Sequence, residues 1–186
     1  MKRNSLNLSS SIDWLEAGKI LIHPTESIWG LGCDAFNEKA VSDIFNIKKR
    51  DKKKNFILLI RSFDSIKNYI QELDPSDEEY LLKHWPGPFT FLIKYNNTLP
   101  NHLKNETKKI AIRVSNHLPI KRLFDCFSGF MISTSANISG KENLKNPEEI
   151  INYFECADMA YYDELLGTNV SPSKIIDLET KFVIRP

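Results

Sequence analysis

The sequence is poor in cysteine and has no long apolar run. Its three cysteines, Cys33, Cys126 and Cys156, are an odd number and lie far apart. That pattern excludes a disulfide framework and a zinc-ligand spacing, and it is typical of a reducing, cytoplasmic setting. No apolar run approaches the roughly 18 residues that cross a bilayer. The N-terminus also lacks the apolar segment of a secretory signal, so we expect neither a membrane protein nor a secreted one.

An excess of charge of one sign is also missing. The 25 Lys and Arg residues nearly cancel the 24 Asp and Glu residues and leave a formal charge of +1. This balance excludes a chain-wide polycation that coats nucleic acid, although a local basic patch remains compatible with it. Apolar residues make up 41% of the chain, as in soluble globular proteins. Because no flexible linker interrupts the 186 residues, we predict a single domain over residues 1–186.

The alternation of strand-like and helix-like segments predicts an α/β domain with a mixed sheet. Apolar runs predict strands at 19–23, 56–60, 89–95, 110–114, 130–133, 174–178 and 181–185. Amphipathic periodicity and capping residues predict helices at 9–18, 37–49, 62–70, 76–84, 118–127 and from Asn146 onward. The segment 25–33 contains two glycines and is predicted to be a loop.

Several common catalytic and nucleotide-binding motifs are absent. The sequence has neither a G-x-x-x-x-G-K-[ST] phosphate loop nor a G-x-G-x-x-G turn. Any ATP phosphates must therefore be held by side chains. No G-x-S-x-G segment is present, and the histidines at 23, 84, 102 and 117 show no motif spacing. A serine–histidine triad is therefore not predicted.

A basic segment follows the predicted second helix. Residues 48–54 place six cations in seven positions, and Asp51 alone opposes them. Arginine grips phosphate oxygens in a bidentate manner, and lysine supplies a mobile charge. The alternative is a solvated loop whose cations favour the preceding helix C-terminus.

Small polar residues follow the predicted strand 130–133. Five of the seven residues from Ser133 to Ser139 are Ser, Thr or Asn. Open α/β sheets bind ligands at such strand ends, where hydroxyls and amides contact phosphate or adenine. An ordinary polar turn is the alternative.

Arg113 lies within the apolar strand Ile110–Val114. A buried arginine needs an anionic partner, which is either a carboxylate of the protein or one of a ligand. Ile112 and Val114 are expected on the opposite face of the strand. Cys33, by contrast, is predicted to be a small buried thiol.

The sequence resembles the YrdC family of threonylcarbamoyl-AMP synthases in six segments that occur in the family's order. They are HPTESIWGLGCD at 23–34, IKKR at 47–50, WPGPFT at 85–90, IRV at 112–114, STSANISG at 133–140 and SPSKIID at 171–177. Together they extend over nearly the whole chain. The resemblance implies a three-layer YrdC-like α/β fold with a twisted, mixed parallel and antiparallel sheet around a deep cavity.

The resemblance also implies a reaction. L-threonine, bicarbonate and ATP are converted into L-threonylcarbamoyladenylate and pyrophosphate. A separate threonylcarbamoyl transferase complex then modifies the adenosine at position 37 of tRNAs that read ANN codons. ATP is a substrate, accompanied by Mg²⁺, and neither a tightly bound cofactor nor a protein metal site is implied.

The family's site residues transfer to matching positions of this chain. Its K-x-R and S-x-N motifs fall on Lys48, Arg50, Ser135 and Asn137, with Lys48 and Arg50 in catalysis. Lys54 and Arg185 map to further ATP-binding positions. The implied threonine and carbamate pocket consists of Thr25, Ser27, Arg113, Ser133 and Ser173.

The chain departs from the family pattern at His23, where tyrosine is common, and we expect the ring of His23 to line the cavity. We also expect Arg113 to await the threonine carboxylate there, so that the free protein tolerates its loss.

One alternative to the synthase function is an RNA- or tRNA-binding protein without catalysis that uses residues 48–54. The other is a hydrolase of acyl phosphates or adenylates, since related domains occur in carbamoyl-transfer enzymes.

Overall fold

The computed structural model describes residues 4–49, 56–138, 141–156, 158–168 and 171–186. Ten strands form one mixed sheet. The strands are β1 (Ser5–Leu6), β2 (Ile20–His23), β3 (Gly30–Asp34), β4 (Ile57–Leu59), β5 (Phe89–Lys94), β6 (Lys109–Arg113), β7 (Met131–Ser135), β8 (Met159–Tyr162), β9 (Lys174–Asp177) and β10 (Val183–Arg185). The α-helices are α1 (Leu8–Glu16), α2 (Glu38–Ile47), α3 (Phe63–Ile66), α4 (Pro75–His84), α5 (Leu118–Cys126) and α6 (Pro147–Phe154).

The strand order across the sheet is β1-β8-β2-β3-β7-β4-β6-β5-β9-β10. Four neighbouring pairs are parallel, namely β1/β8, β8/β2, β4/β6 and β5/β9. The other five pairs are antiparallel. The sheet is therefore mixed, as predicted.

Side chains that alternate along the strands place helices on both faces of the sheet. Ile20 and Ile22 of β2 belong to a core cluster that contains Ile44 of α2. Leu21, which lies between them, belongs to a second cluster with Leu15 of α1 and residues of α5. Because neighbouring strand residues point to opposite faces, the two clusters fill the two interfaces of a three-layer fold.

Local capping explains where several helices begin. The side chain of Asn37 accepts a hydrogen bond from the backbone N–H of Ala40 at the start of α2. Asn146 caps α6 in the same way, and Pro147 follows in the first turn. An N-cap side chain satisfies one of the N–H groups that a helix leaves unpaired at its start. These capping residues therefore make the two helix starts readable from the sequence.

The structure differs from the predicted elements at strands β3, β8 and β1. Residues Gly30–Asp34 form strand β3, although the segment 25–33 was expected to be a loop, because Gly30 pairs with His23 of β2. Strand β8 (Met159–Tyr162) and the two-residue β1 were not predicted.

Cys33 is fully buried in β3, as expected, and burial raises the pKa of its thiol. Among the described residues, no helix has both the length and the apolar composition needed to cross a bilayer.

Candidate active site

A cavity of about 480 Å³ opens on the sheet face that also carries α1 and α5. On β7, Met131 belongs to the core cluster beneath α5, whereas Ser133 and Ser135 line the cavity. These residues share one face because they lie two positions apart along the strand. On β6, Ala111 and Arg113 line the same cavity. The site therefore occupies the part of this face that the helices leave open.

Eight of the predicted site residues meet at this cavity. They are Thr25, Ser27, Arg113, Ser133, Ser135, Asn137, Ser173 and Arg185. Lys48 lies behind the wall, and Arg50 and Lys54 fall outside the described residues. The cavity is also lined by Asn143, Pro172 and Ile184, which are not among the predicted site residues. These three come from irregular segments or from the last strand, where the sequence carries no periodic signal.

Arg113 pairs with a carboxylate of the protein. It is 7% exposed, and its Nη2 lies 2.6 Å from Oε1 of Glu26. Its Nε donates to the carbonyl oxygen of Gly87 at 3.1 Å. Glu26 is buried and also accepts a hydrogen bond from Ser115 Oγ at 2.7 Å. The expectation that Arg113 awaits a ligand without a protein partner is therefore wrong, and we now expect its loss to strand the buried charge of Glu26.

Part of the Arg113 guanidinium is still available to a ligand. Among the residues that the structure describes, none accepts a hydrogen bond from Nη1. Arg113 lines the main cavity and also an adjoining void of about 20 Å³. Glu26 therefore fixes one edge of the guanidinium and leaves another edge for an anion.

Arg185 supplies a second guanidinium from β10. Its Nε and Nη2 donate to the carbonyl oxygen of Ser173 at 3.0 and 2.6 Å. Nη2 also donates to Ser173 Oγ at 3.1 Å, and that hydroxyl lies 2.9 Å from Thr90 Oγ1. Burial lowers the pKa of Arg185, and the positive charge of Arg113 lowers it further. Two guanidinium groups that repel each other beside one cavity favour an anionic ligand.

The loop after β2 is closed by a threonine side chain. Thr25 Oγ1 donates to the carbonyl oxygen of Ile28 at 2.6 Å and accepts from the backbone N–H groups of Ser27 and Ile28 at 3.3 and 3.2 Å. Gly167 packs against this loop, since a Cβ there would lie 2.5 Å from the carbonyl oxygen of Glu26. Thr25 therefore shapes the loop that brings Glu26 to Arg113.

Lys48 fixes the turn that follows β7. It is only 1% exposed, and its Nζ donates to the carbonyl oxygens of Ser135 and Asn137. Within that turn, Ser135 Oγ donates to Asn137 Oδ1 at 2.6 Å. Lys48 is therefore neither a solvated loop cation nor exposed for RNA, and its described hydrogen bonds hold the two cavity-lining polar residues in place.

His23 lies behind the cavity wall, where its ring was not expected. It is fully buried, with Nε2 3.2 Å from Ser133 Oγ and Nδ1 3.3 Å from the carbonyl oxygen of Pro24. A Cβ on Gly30 would lie 2.6 Å from the imidazole, so the glycine of β3 makes room for the ring. Burial lowers the pKa of His23 to about 4. The imidazole is therefore neutral at pH 7.

The chain matches a known family model over residues 13–186. The model is that of the Sua5/YciO/YrdC family, described as telomere recombination. A threonylcarbamoyl-AMP synthase from Cellvibrio japonicus (strain Ueda107) is 35% identical over 184 residues, which are 98% of this chain and 97% of the relative. A threonylcarbamoyl-AMP synthase from Buchnera aphidicola subsp. Schizaphis graminum is 38% identical over 90% of this chain and 88% of its own.

Solved structures share the fold. E. coli YciO superposes with a TM-score of 0.84 at 25% identity, over 100% of this chain and 95% of its own. P. abyssi Sua5 complexed with L-threonine gives a TM-score of 0.84 at 25% identity, over 94% of this chain. This chain spans only 54% of that protein, about half of its length. From the matched model and these relatives, the chain belongs to the Sua5/YciO/YrdC family.

Proposed function

We propose that this protein is a threonylcarbamoyl-AMP synthase, which converts L-threonine, bicarbonate and ATP into L-threonylcarbamoyladenylate and pyrophosphate. Relatives with that name match almost the entire chain at 35% and 38% identity. The observation that carries the proposal is the cavity wall, where Arg113 and Arg185 stand together among hydroxyl and amide side chains. This wall suits a reaction in which every substrate bears negative charge.

In the proposed reaction, a C–O bond of bicarbonate breaks to give CO₂ and hydroxide, and the threonine amine forms a C–N bond with this CO₂. The proton that leaves the nitrogen combines with the hydroxide as water, and the product is a carbamate. A carbamate oxygen then attacks the α-phosphorus of ATP, and the bond from that phosphorus to the β-phosphate oxygen breaks. Negative charge develops on the α-phosphoryl oxygens and on the departing pyrophosphate. Preorganised cations stabilise such charge, and holding the reactants together lowers the barrier further. The reaction needs no protein nucleophile.

The threonine carboxylate is assigned to Arg113, whose Nη1 has no hydrogen-bond acceptor among the described residues. Ser133 and Ser173 border the same cavity and supply hydroxyl groups. Thr25 and Ser27 lie in the loop that carries Glu26, and they complete the threonine-binding part of the cavity. This part of the cavity therefore offers a guanidinium for the carboxylate of threonine and hydroxyl groups for its polar groups.

The nucleotide is assigned to the part of the cavity that Ser135 and Asn137 line. Ser135 and Asn137 present a hydroxyl and an amide there, in a turn held by Lys48. Arg185 adds a charge for the phosphates. Arg50 and Lys54 stay predicted phosphate ligands from their match to the family motif.

Magnesium is proposed to arrive with ATP. Among the described residues, no group of three His, Cys, Asp or Glu side chains is close enough together to hold a metal ion. Mg²⁺ often binds mainly through substrate phosphates and waters, so this site suits MgATP as a substrate.

We further propose that the adenylate is passed to a threonylcarbamoyl transferase complex for modification of tRNA in the cytoplasm. The odd number and wide spacing of the three cysteines support a reducing compartment. RNA binding through residues 48–54 stays a separate prediction, and the buried Lys48 does not contribute to it.

The proposal is tested by measuring pyrophosphate release from MgATP, with detection of the nucleotide product by mass spectrometry. We expect release only when both threonine and bicarbonate are present, with a product of the mass of threonylcarbamoyl-AMP. Reactions that lack one substrate are the controls. Release of pyrophosphate without threonine, or release of inorganic phosphate alone, would contradict the proposal and favour a hydrolase.

A further inference from the structure

A buried histidine contacts a serine of the cavity wall. His23 at the end of β2 and Ser133 of β7 lie 110 positions apart in the chain, yet Nε2 and Oγ are 3.2 Å apart. Strand β3 separates β2 from β7 in the sheet. The imidazole crosses that strand above its glycines, because a Cβ on Gly30 would lie 2.6 Å from the ring and one on Gly32 3.1 Å. The fold therefore reserves space for this contact.

The neighbours of the imidazole determine the direction of the hydrogen bond. The Nδ1 atom lies 3.3 Å from the carbonyl oxygen of Pro24, which can only accept. Nδ1 therefore carries the proton, and the neutral ring has a lone pair on Nε2. Ser133 must then donate its hydroxyl hydrogen to His23. The remaining lone pairs of Oγ are left to accept a hydrogen bond from the cavity side.

Ser133 and Arg113 are within reach of one small ligand. Both residues line the main cavity, and both border the adjoining void of about 20 Å³. A group that binds Arg113 through a carboxylate can therefore place an N–H donor on Ser133. An α-amino acid carries both of these groups on its α-carbon.

We propose that His23 is a positioning residue that holds Ser133 as the hydrogen-bond acceptor for the amino group of the amino-acid substrate. The proposal rests on the function proposed above. It also fits the chemistry of the first step, because the nitrogen keeps one N–H when the amine becomes a carbamate. The same acceptor thus holds the nitrogen before and after that step, and His23 takes no proton.

The test is a double-mutant cycle on threonine affinity, measured by calorimetry, together with KM and kcat for pyrophosphate release. In His23→Phe, a flat ring remains but the Nε2 acceptor is lost. In Ser133→Ala, the hydroxyl is lost. We expect each single variant to weaken threonine binding about 10-fold, the value of one good hydrogen bond. The double variant should bind threonine no more weakly than Ser133→Ala alone, and KM for ATP should stay unchanged.

A second pair of variants covers the case in which His23→Phe does not fold. Gln at position 23 can place its amide oxygen where Nε2 lies, whereas Asn is one atom too short to reach Ser133. We therefore expect His23→Gln to keep most of the threonine affinity and His23→Asn to lose it. His102→Phe is the matched control, since His102 also contacts a backbone carbonyl but lies outside the main cavity.

Two results would overturn the inference. One is an additive cycle, in which His23→Phe weakens binding equally with and without the Ser133 hydroxyl. The other is equal threonine affinity in His23→Gln and His23→Asn. Failure of the proposed function is a distinct outcome, because the wild-type protein would then release no threonine-dependent pyrophosphate.

Discussion

The two ends of one sheet face have opposite chemistry although the same strands build them. At one end, Leu59 and Met131 belong to the apolar cluster that contains residues of α1 and α5. At the other end, Ser133 and Ser135 of the same strand line an open cavity with Arg113. Met131 and Ser133 are only two positions apart in the chain. The comparison shows that the site is the part of the face where helix cover ends and polar side chains replace apolar ones.

This difference predicts that stability and activity depend on different residues of the same face. Burial of apolar groups at the covered end stabilises the fold. Desolvated cations at the open end are costly unless they are paired. The Glu26–Arg113 pair lies where the two ends meet, and it should therefore affect both properties.

The largest effect is expected when the charge pair at that boundary is broken. Replacing Arg113 with Met leaves the Glu26 carboxylate buried and unpaired, which should lower the free energy of unfolding by about 3–5 kcal/mol. The double variant Arg113→Met, Glu26→Gln removes both charges and should recover most of this loss. Denaturant unfolding measures both variants. Equal stability of the single and double variants would show that the pair is not coupled.

A slightly smaller loss of stability is expected from a substitution at the apolar end of the sheet face, which α1 and α5 cover. Leu123 of α5 is fully buried, so Leu123→Ala should lower the free energy of unfolding by about 2–5 kcal/mol through the cavity that it leaves. KM for threonine should not change. Leu118→Ala on the same helix is the control, because Leu118 is 55% exposed. A raised KM in Leu123→Ala would mean that the two ends are not independent.

Acid should destabilise the protein through His23. The pKa of His23 is lowered from 6.5 to about 4 in the folded protein, so the unfolded chain binds one more proton between these values. Stability therefore falls as the pH drops from 6.5 toward 4, by up to about 3 kcal/mol from this residue. Unfolding curves at several pH values should show this slope in the wild type, and His23→Gln should lack it. Parallel pH profiles for the two proteins would contradict the assignment.

The smallest effect is expected from Arg185 at the edge of the open end. Arg185→Gln should slow pyrophosphate release about 10-fold, which corresponds to the loss of one phosphate contact worth about 1.4 kcal/mol. Its effect on unfolding should stay below about 1 kcal/mol, because relief of repulsion with Arg113 offsets the lost hydrogen bonds. Arg122→Gln, at an exposed ion pair with Glu164, is the control. Unchanged turnover in Arg185→Gln would remove Arg185 from the site.

The sequence was informative where local signals act. Asn37 and Asn146 start the helices that they were predicted to cap, since a cap depends on neighbours three residues away. Arg113 was conspicuous because its charge interrupts an apolar strand. The family motifs located seven of the eight predicted cavity residues for the same reason, since each motif is a short continuous segment.

Long-range contacts explain what the sequence did not reveal. Strand β8 (Met159–Tyr162) has a short, weak pattern and is defined by its pairing with β1 and β2. The segment Gly30–Asp34 looked like a loop because its glycines serve the ring of His23, which lies on the neighbouring strand. No local pattern identifies Glu26 as the partner of Arg113, because a loop and a distant strand bring them together.

The most direct test of the account is the threonine affinity of the charge-neutral variant Arg113→Met, Glu26→Gln, measured by calorimetric titration. This variant strands no buried charge, so a change in affinity reports the lost contact to the carboxylate. We expect a thermal midpoint close to that of the wild type and threonine binding weakened about 100-fold or more, as for a lost charge-assisted contact. Wild-type threonine affinity in a folded double variant would contradict the claim that Arg113 makes this cavity a site for an amino acid.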